Sequence, residues 1–411
     1  MTDKRQSWAV MVVVFFASIV VAAGRFKVPP VLPVLMDELQ VDMVTGGWLM
    51  SLSSVAGIVL AIPAAFLLTR IGLKLTGLVA MGCAVVGTVV GALATGTPAI
   101  LLGRVIEGVS VSLMVVMAPT AISLWFPPRE RGLPMGIWTS WVPIGNVLMF
   151  NLAHPVMVGY GWRAVWWLGA VFSLVALVLV GLVVDSPPQE SSEGSSATAP
   201  PGEFGRMLLN RSAWLLALAF GAFGFALLGY NTWAPKFLTD TLQVEPAAAN
   251  AYASLMFLAA VPANIIAGWL INRLKDRYSM LPAAFFLTTI LFFWGFRLDG
   301  VGVVVPYMLV LGFVSNFVPT AVFTLAPETM PRIQLASLGL AIVMTGTNMG
   351  SVAGPPALGA ILSSGDWFAG SICLVAAMAV GTVAAWYVAR RLRSESHGSL
   401  SPEIPNPPPQ S

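Results

Sequence analysis

Charged side chains are scarce in this chain. Asp, Glu, Lys and Arg together make up 9% of its 411 residues, against roughly 25% in a soluble domain. A soluble protein with so few charges has nothing to cover its surface with, so a water-soluble fold is excluded. Histidine and cysteine are rarer still, two of each. That is too few for a disulfide framework, and Cys83 and Cys373 lie in opposite halves with no metal-ligand spacing around them. No Gly-x-x-x-x-Gly-Lys-Ser/Thr loop occurs, which excludes ATP-driven pumping by this chain alone. No histidine cluster or activated nucleophile stands out either. The expectation is a protein that is not an enzyme and needs no cofactor or metal.

Apolar residues fill the space, at 57% of the chain. A helix needs about 20 of them in a row to cross the hydrocarbon of a bilayer. Runs of that kind occupy 8–36, 45–68, 73–95, 98–126, 132–158 and 162–185, then 211–240, 247–272, 278–297, 301–326, 333–361 and 365–391. The pattern predicts an all-α integral membrane protein of twelve transmembrane helices, six plus six. Ala22-Ala23-Gly24 resembles a signal-peptide cleavage site. The apolar stretch around it is too long for a signal peptide, and the six-plus-six pattern needs it as a span.

The basic residues sort by side. Fifteen of them, from Lys4 and Arg5 through Arg70, Lys74 and Arg129 to Arg390, Arg391 and Arg393, flank the termini and the loops after even-numbered spans. Arg163, Lys236 and Arg297 lie on the other side. The positive-inside rule then puts both termini in the cytoplasm of a multi-pass plasma-membrane protein, expected in a bacterial inner membrane. So placed, the basic residues need no nucleic-acid reading. Residues 186–205 are rich in Pro, Ser, Gly and Glu, as solvated linkers are. The expected division is a first bundle over 1–185, a cytoplasmic linker over 186–210, a second bundle over 211–393 and a disordered tail over 394–411.

The halves repeat. Leu39-Gln40-Val41-Asp42 matches Leu242-Gln243-Val244-Glu245, and Leu67-Leu68-Thr69-Arg70 matches Leu270-Ile271-Asn272-Arg273, both 203 residues on. Duplicated six-helix units place a substrate site between the halves near the bilayer midplane. Three further stretches carry a family likeness. Arg70-Ile71-Gly72-Leu73-Lys74 follows span 2, Arg104-Val105-Ile106-Glu107-Gly108 lies on span 4, and Gly161-Trp162-Arg163 opens span 6. With Trp125-Phe126-Pro127-Pro128-Arg129-Glu130-Arg131-Gly132 after span 4, they resemble the motifs of the major facilitator superfamily. The resemblance implies two pseudo-symmetric six-helix bundles and secondary transport by alternating access. The chain departs from the family where the loops after spans 2 and 8 usually carry an acid: Thr69 and Asn272 stand there.

Charges inside a membrane are costly and point to function. Arg25 and Lys27 fall on span 1, Arg104 and Glu107 on span 4, and His154 on span 5. Arg25 offers a planar fork for a carboxylate or phosphate, on a helix face continued by the small residues Ser18, Ala22 and Pro29. Arg25 also stands eight residues before Pro33. That spacing resembles the first helix of the glycerol-3-phosphate/phosphate antiporters and related organic-anion porters, which implies an anion site. The antiporters' second arginine is missing: the repeat maps Arg25 onto Leu228, which favours a monoanion. The competing reading pairs Arg25 with Glu107 or turns it to water.

Lys27 points about 200° away from Arg25 on one helix, and is expected to snorkel or to serve the outer gate unless Pro29-Pro30 break the span. Arg104 and Glu107, one turn apart, form either a structural pair or a site where Glu107 carries a proton. The related anion porters place a proton-binding glutamate where this chain has Val111. His154 has a pKa suited to coupling, although a structural hydrogen bond competes. Tyr230, Asn231, Asn316 and Asn348 from the second half, with Trp138 and Trp141 from span 5, complete the candidate substrate contacts. Aromatic residues in membranes also face lipid.

The resulting expectation is a monomeric secondary transporter of a small monoanion such as a carboxylate. Its partners would be the substrate, a coupling proton or counter-anion and membrane lipid. The alternative is efflux of amphiphilic or drug-like compounds.

Overall fold

Proline decides where the first span bends. The computed structural model describes residues 4–60, 63–127, 130, 132–185, 209–274, 276–330 and 336–398. Helix α1 (Lys4–Phe26) stops just short of Pro29, a single 3-10 turn covers Pro29–Val31, and α2 (Leu32–Leu39) resumes the span. Proline has no N–H to give the helix, and its ring clashes with the turn before it. The run read as one helix over 8–36 is therefore two helices with a break in its last third.

Span 2 is α3 (Met43–Ser51), α4 (Val55–Leu60) and the first turns of α5 (Pro63–Ala92). Gly72 interrupts α5 with φ at 79°, a conformation that costs glycine nothing, and span 3 follows it. Next come α6 (Thr97–Trp125), α7 (Gly132–Thr139) with α8 (Trp141–Tyr160), and α9 (Trp162–Val183). The second half repeats the plan with α10 (Arg211–Leu242), α11 (Pro246–Arg273) and α12 (Met280–Phe293). It ends with α13 (Val301–Ser315), α14 (Phe317–Leu325), α15 (Ala336–Leu362) and α16 (Trp367–Gly398). Ten of the crossings are long and apolar enough to span a membrane. The shorter stretch Arg277–Phe293 and α15 complete the twelve.

The chain is thus a multi-pass membrane protein of two six-helix sets, with no strand among the described residues. Residues 186–208, the core of the expected linker, lie outside the described residues. One boundary is corrected. α16 runs on to Gly398, so Ser394–Gly398 are helical instead of part of a disordered tail. Arg391 Nε donates to Glu395 at 2.9 Å, one turn on, and holds this extension. The rest of the tail is outside the described residues.

The repeat is visible in the backbone. Gln40 and Gln243, 203 residues apart, are the two non-glycine residues with positive φ among those described, at 50° and 52°. Each ends the first span of its half in the left-handed conformation that closes helices. At the end of the bundle that carries the termini, Lys74 Nζ sits 2.7 Å from Asp185 in the first half. In the second, Asp276 pairs with Arg393. These two links join equivalent places with the signs reversed. The loop after span 2, which lacks the family's acid at Thr69, still engages a carboxylate through Lys74.

The halves meet along a seam that starts at the opposite end. A Cβ on Gly47 of α3 would lie 2.5 Å from the backbone of Pro355 and Pro356 on α15, and one on Gly359 would lie 2.2 Å from Met43 O. Deeper down, a Cβ on Gly57 would touch the Asn348 amide at 2.7 Å. On the other flank, Asn151 Nδ2 donates to Ser254 Oγ at 3.1 Å, and Phe257 of α11 packs on Phe26 and Phe150 at 5.6 and 6.4 Å between ring centroids. Asn250 Nδ2 reaches Pro30 O at 3.4 Å.

Candidate functional site

The break in α1 gathers four charges. Lys27 follows the last residue of α1, Phe26, and is fully buried. Its Nζ lies 2.5 Å from Glu107 Oε1 and 4.8 Å from the centroid of the Trp166 ring. The expectation that Lys27 snorkels is thus overturned: its ammonium is paired with a buried carboxylate instead of reaching water. Arg104, also fully buried, pairs with Glu107 Oε2. Its other donors cross to two neighbouring spans. Nε donates to Leu49 O at 2.9 Å, Nη1 to Gly24 O at 2.8 Å and Nη2 to Arg25 O at 2.8 Å. Thr88 Oγ1 adds a third donor to Glu107 at 3.0 Å. Thr88 can reach because Gly87 and Gly103 let α5 and α6 touch backbone to backbone; a Cβ on either would sit within 2.7 Å of the other's carbonyl.

Glu107 is therefore the anion of an ion triad that ties spans 1, 3 and 4 together. A buried carboxylate survives in low dielectric only when paired and fully hydrogen-bonded, and here both oxygens are engaged. That leaves Arg25 over. Its Nη2 donates to Ser54 Oγ at 2.9 Å, its Nε is enclosed without a partner, and among the described residues no carboxylate lies within ion-pair distance. The residue as a whole remains partly exposed. Three cations against one carboxylate leave the cluster with a formal surplus of two positive charges.

The remaining candidates scatter. The face of α1 read as room for a ligand is occupied. Trp138 Nε1 donates to Ser18 Oγ at 3.0 Å, and Gly145 of α8 lies against Ala22, where its Cβ would come within 2.5 Å. Trp138 and Trp141 stack at 6.0 Å and belong to that packing. Tyr230 is buried inside the second half, its hydroxyl 3.7 Å from Met308 Sδ and its ring against Phe292 and Phe296. Asn316 turns its amide back on Gly312 O at 2.7 Å, between α13 and α14. Asn348 lies in the seam against Gly57. His154 sits near the far end of α8, its Nδ1 enclosed without a partner. Asn231 is buried, and neither atom of its amide has a partner.

Sequence reasoning missed Asn146. It is buried on α8 one turn before Phe150, with both amide atoms unpartnered. The signal was available, since it is an amide within an apolar run.

Twelve helices in two related sets, with a positive cluster buried in the first, define a class of polytopic membrane protein. The family model of the Major Facilitator Superfamily matches residues 14–338 and again 238–409, and the chain belongs to that superfamily. Among curated relatives, it is 25% identical to the hexuronate transporter of Bacillus subtilis (strain 168) over 237 residues. That alignment covers 56% of this chain, which spans just over half of the relative's length, 56%. It is 22% identical to the D-galactonate transporter of Escherichia coli O6:H1 (strain CFT073), over 66% of this chain and 68% of the relative. A bacterial homolog of the human lysosomal transporter Spinster, solved in an inward-facing and unoccupied conformation, superposes with a TM-score of 0.79. The match covers 97% of this chain and 100% of that one at 17% identity, and shows a shared fold.

Proposed function

We propose that the protein is a secondary transporter that carries a small organic monoanion across the membrane by alternating access, with Arg25 as the anion's anchor. One observation carries this reading: Arg25 is the cation of the buried cluster that has no carboxylate. Lys27 and Arg104 share Glu107, whereas Arg25 meets a neutral hydroxyl. A guanidinium in that position presents a planar fork for a carboxylate. The relatives' names agree in chemistry, since a hexuronate and a galactonate each bear one carboxylate. Asn348 in the seam and the unpartnered amides of Asn146 and Asn231 would supply neutral contacts, and a proton or counter-anion would supply the coupling. The bias of Lys and Arg toward the terminus-bearing end supports a cytoplasmic location for both termini in a bacterial inner membrane.

Ligand-induced thermal stabilisation tests the assignment, because a bound ligand raises apparent stability by mass action. The purified protein would be screened against D-galactonate, D-glucuronate and nicotinate at pH 7, in parallel with Arg25→Lys and Arg25→Ala. Lysine keeps the charge but loses the fork, so Arg25→Lys should bind any hit about tenfold more weakly, the loss of one charge-assisted hydrogen bond. Arg25→Ala should show no stabilisation. An anion that stabilises Arg25→Ala as well as the parent would sink the anchor. A hydrophobic cation that stabilises parent and variant equally would move the reading to export of amphiphiles.

A further inference from the structure

Behind Arg25, inside the first half, lies a small cavity of about 10 Å³. It is bounded by α1, the turn at Ser53, α5, α6 and α9. Its walls carry Arg25, Ser53, Thr88, Glu107, Ser110 and Ser173. Two of the polar groups on these walls are stranded. Ser110 is fully buried and its Oγ has no partner; Arg25 Nε is enclosed and has none. Two other donors are engaged, Ser53 Oγ on Met50 O at 3.1 Å and Thr88 Oγ1 on Glu107. Glu107 Oε2 accepts from Arg104 and keeps a lone pair.

We infer that this cavity is a binding site for a single ordered water, which joins Ser110 and Arg25 to the Glu107 ion triad. Size and polarity decide the ligand. A cavity of this volume holds one water centre and no more, and a water is retained where it finds two to four polar partners. Here it accepts from Arg25 Nε and from the Ser110 hydroxyl, and its own protons face Glu107 Oε2 and Ser53 Oγ. Chloride would suit the positive surplus, but it is larger than water and does not fit a cavity of this volume. Buried donors are seldom left unpaired, and the water pairs both at once. Ser110 is thereby a positioning residue: through the water it fixes one edge of the Arg25 guanidinium and leaves the other to Ser54 and the partly exposed side. The inference stands whatever the substrate is.

Two measurements on the full chain test it. In a wild-type map that resolves waters, a peak should lie within hydrogen-bond distance of both Ser110 Oγ and Arg25 Nε; an empty cavity overturns the proposal. Thermal unfolding of Ser110→Ala and Ser110→Val gives an independent answer. Alanine leaves the water its room, whereas valine fills the space and strips Arg25 Nε of its partner. Ser110→Val should melt about 2 °C or more below Ser110→Ala. In a dry cavity the added methyl groups would restore lost contacts instead, so Ser110→Val melting at or above Ser110→Ala also overturns the water site. If Ser110→Val yields no protein, the wild-type map decides alone.

Discussion

Gly47→Val is expected to insert and purify normally yet fail to close the end of the bundle away from the termini, and transport should fall with it. The reason is local. Even the first carbon of a side chain at position 47 would lie 2.5 Å from the Pro355 carbonyl and from Pro356 Cα, and these are backbone atoms that cannot rotate aside. Gly359 meets Met43 O in the same way from the other helix. The clash arises only when the halves touch, so the packing inside each half is spared. An overpacked contact costs about 1–3 kcal/mol, enough to shift the balance of open and closed forms by roughly five- to 150-fold, and tenfold at about 1.4 kcal/mol. Ser254→Cys places a near-isosteric probe in the seam, where Ser254 accepts from Asn151. With Cys83 and Cys373 replaced by alanine, an impermeant maleimide added from the far side should label that cysteine at least tenfold faster when Gly47→Val is present. Equal labelling rates would show that the glycine contact does not govern closure.

The second large effect concerns the ion triad. Glu107→Gln removes the one carboxylate that Lys27 and Arg104 share, leaving two buried cations without an anion. Removing one partner of a buried pair costs about 3–5 kcal/mol, so the variant should melt well below the parent and accumulate poorly. Lys27→Met in the same chain removes one stranded charge and keeps the apolar bulk beside Trp166. The double variant should therefore recover much of the loss, a coupling that a double-mutant cycle measures directly. In the competing reading, with Glu107 as a proton carrier, Glu107→Gln would leave stability near the parent value and flatten the pH profile of transport. Differential scanning fluorimetry of the four proteins separates the two roles.

Much of the architecture was legible because hydrocarbon imposes a simple code. Length and apolarity marked the crossings, and the Pro- and Ser-rich stretch marked the junction of the halves. A tetrapeptide echo 203 residues apart proved to be a repeated helix end, Gln40 and Gln243. The members of the charged cluster were legible too, since Arg25, Lys27, Arg104 and Glu107 are conspicuous in so apolar a chain. Their pairing was not. Spacing on a helix links Arg104 to Glu107, but the bond from Lys27 joins two spans, just where α1 ends before Pro29 and Pro30. Contacts between spans carry no sequence period at all. That is why Ser18 and Ala22, read as open space, turned out to lie under Trp138 and Gly145, and why Tyr230 lies in the packing of the second half.

A helix that ends inside a membrane leaves carbonyl oxygens with no partner in their own turn. At the end of α1, Arg104 takes two of them, from Gly24 and Arg25. Those carbonyls are also the negative pole of the helix, worth about half an elementary charge, and the pole is turned toward the cations of the cluster. It acts as a counter-charge made of backbone. Unlike a carboxylate, it has no proton to gain or lose. Part of the compensation for Arg25, Lys27 and Arg104 is therefore fixed at every pH, and cannot be discharged without refolding the first span.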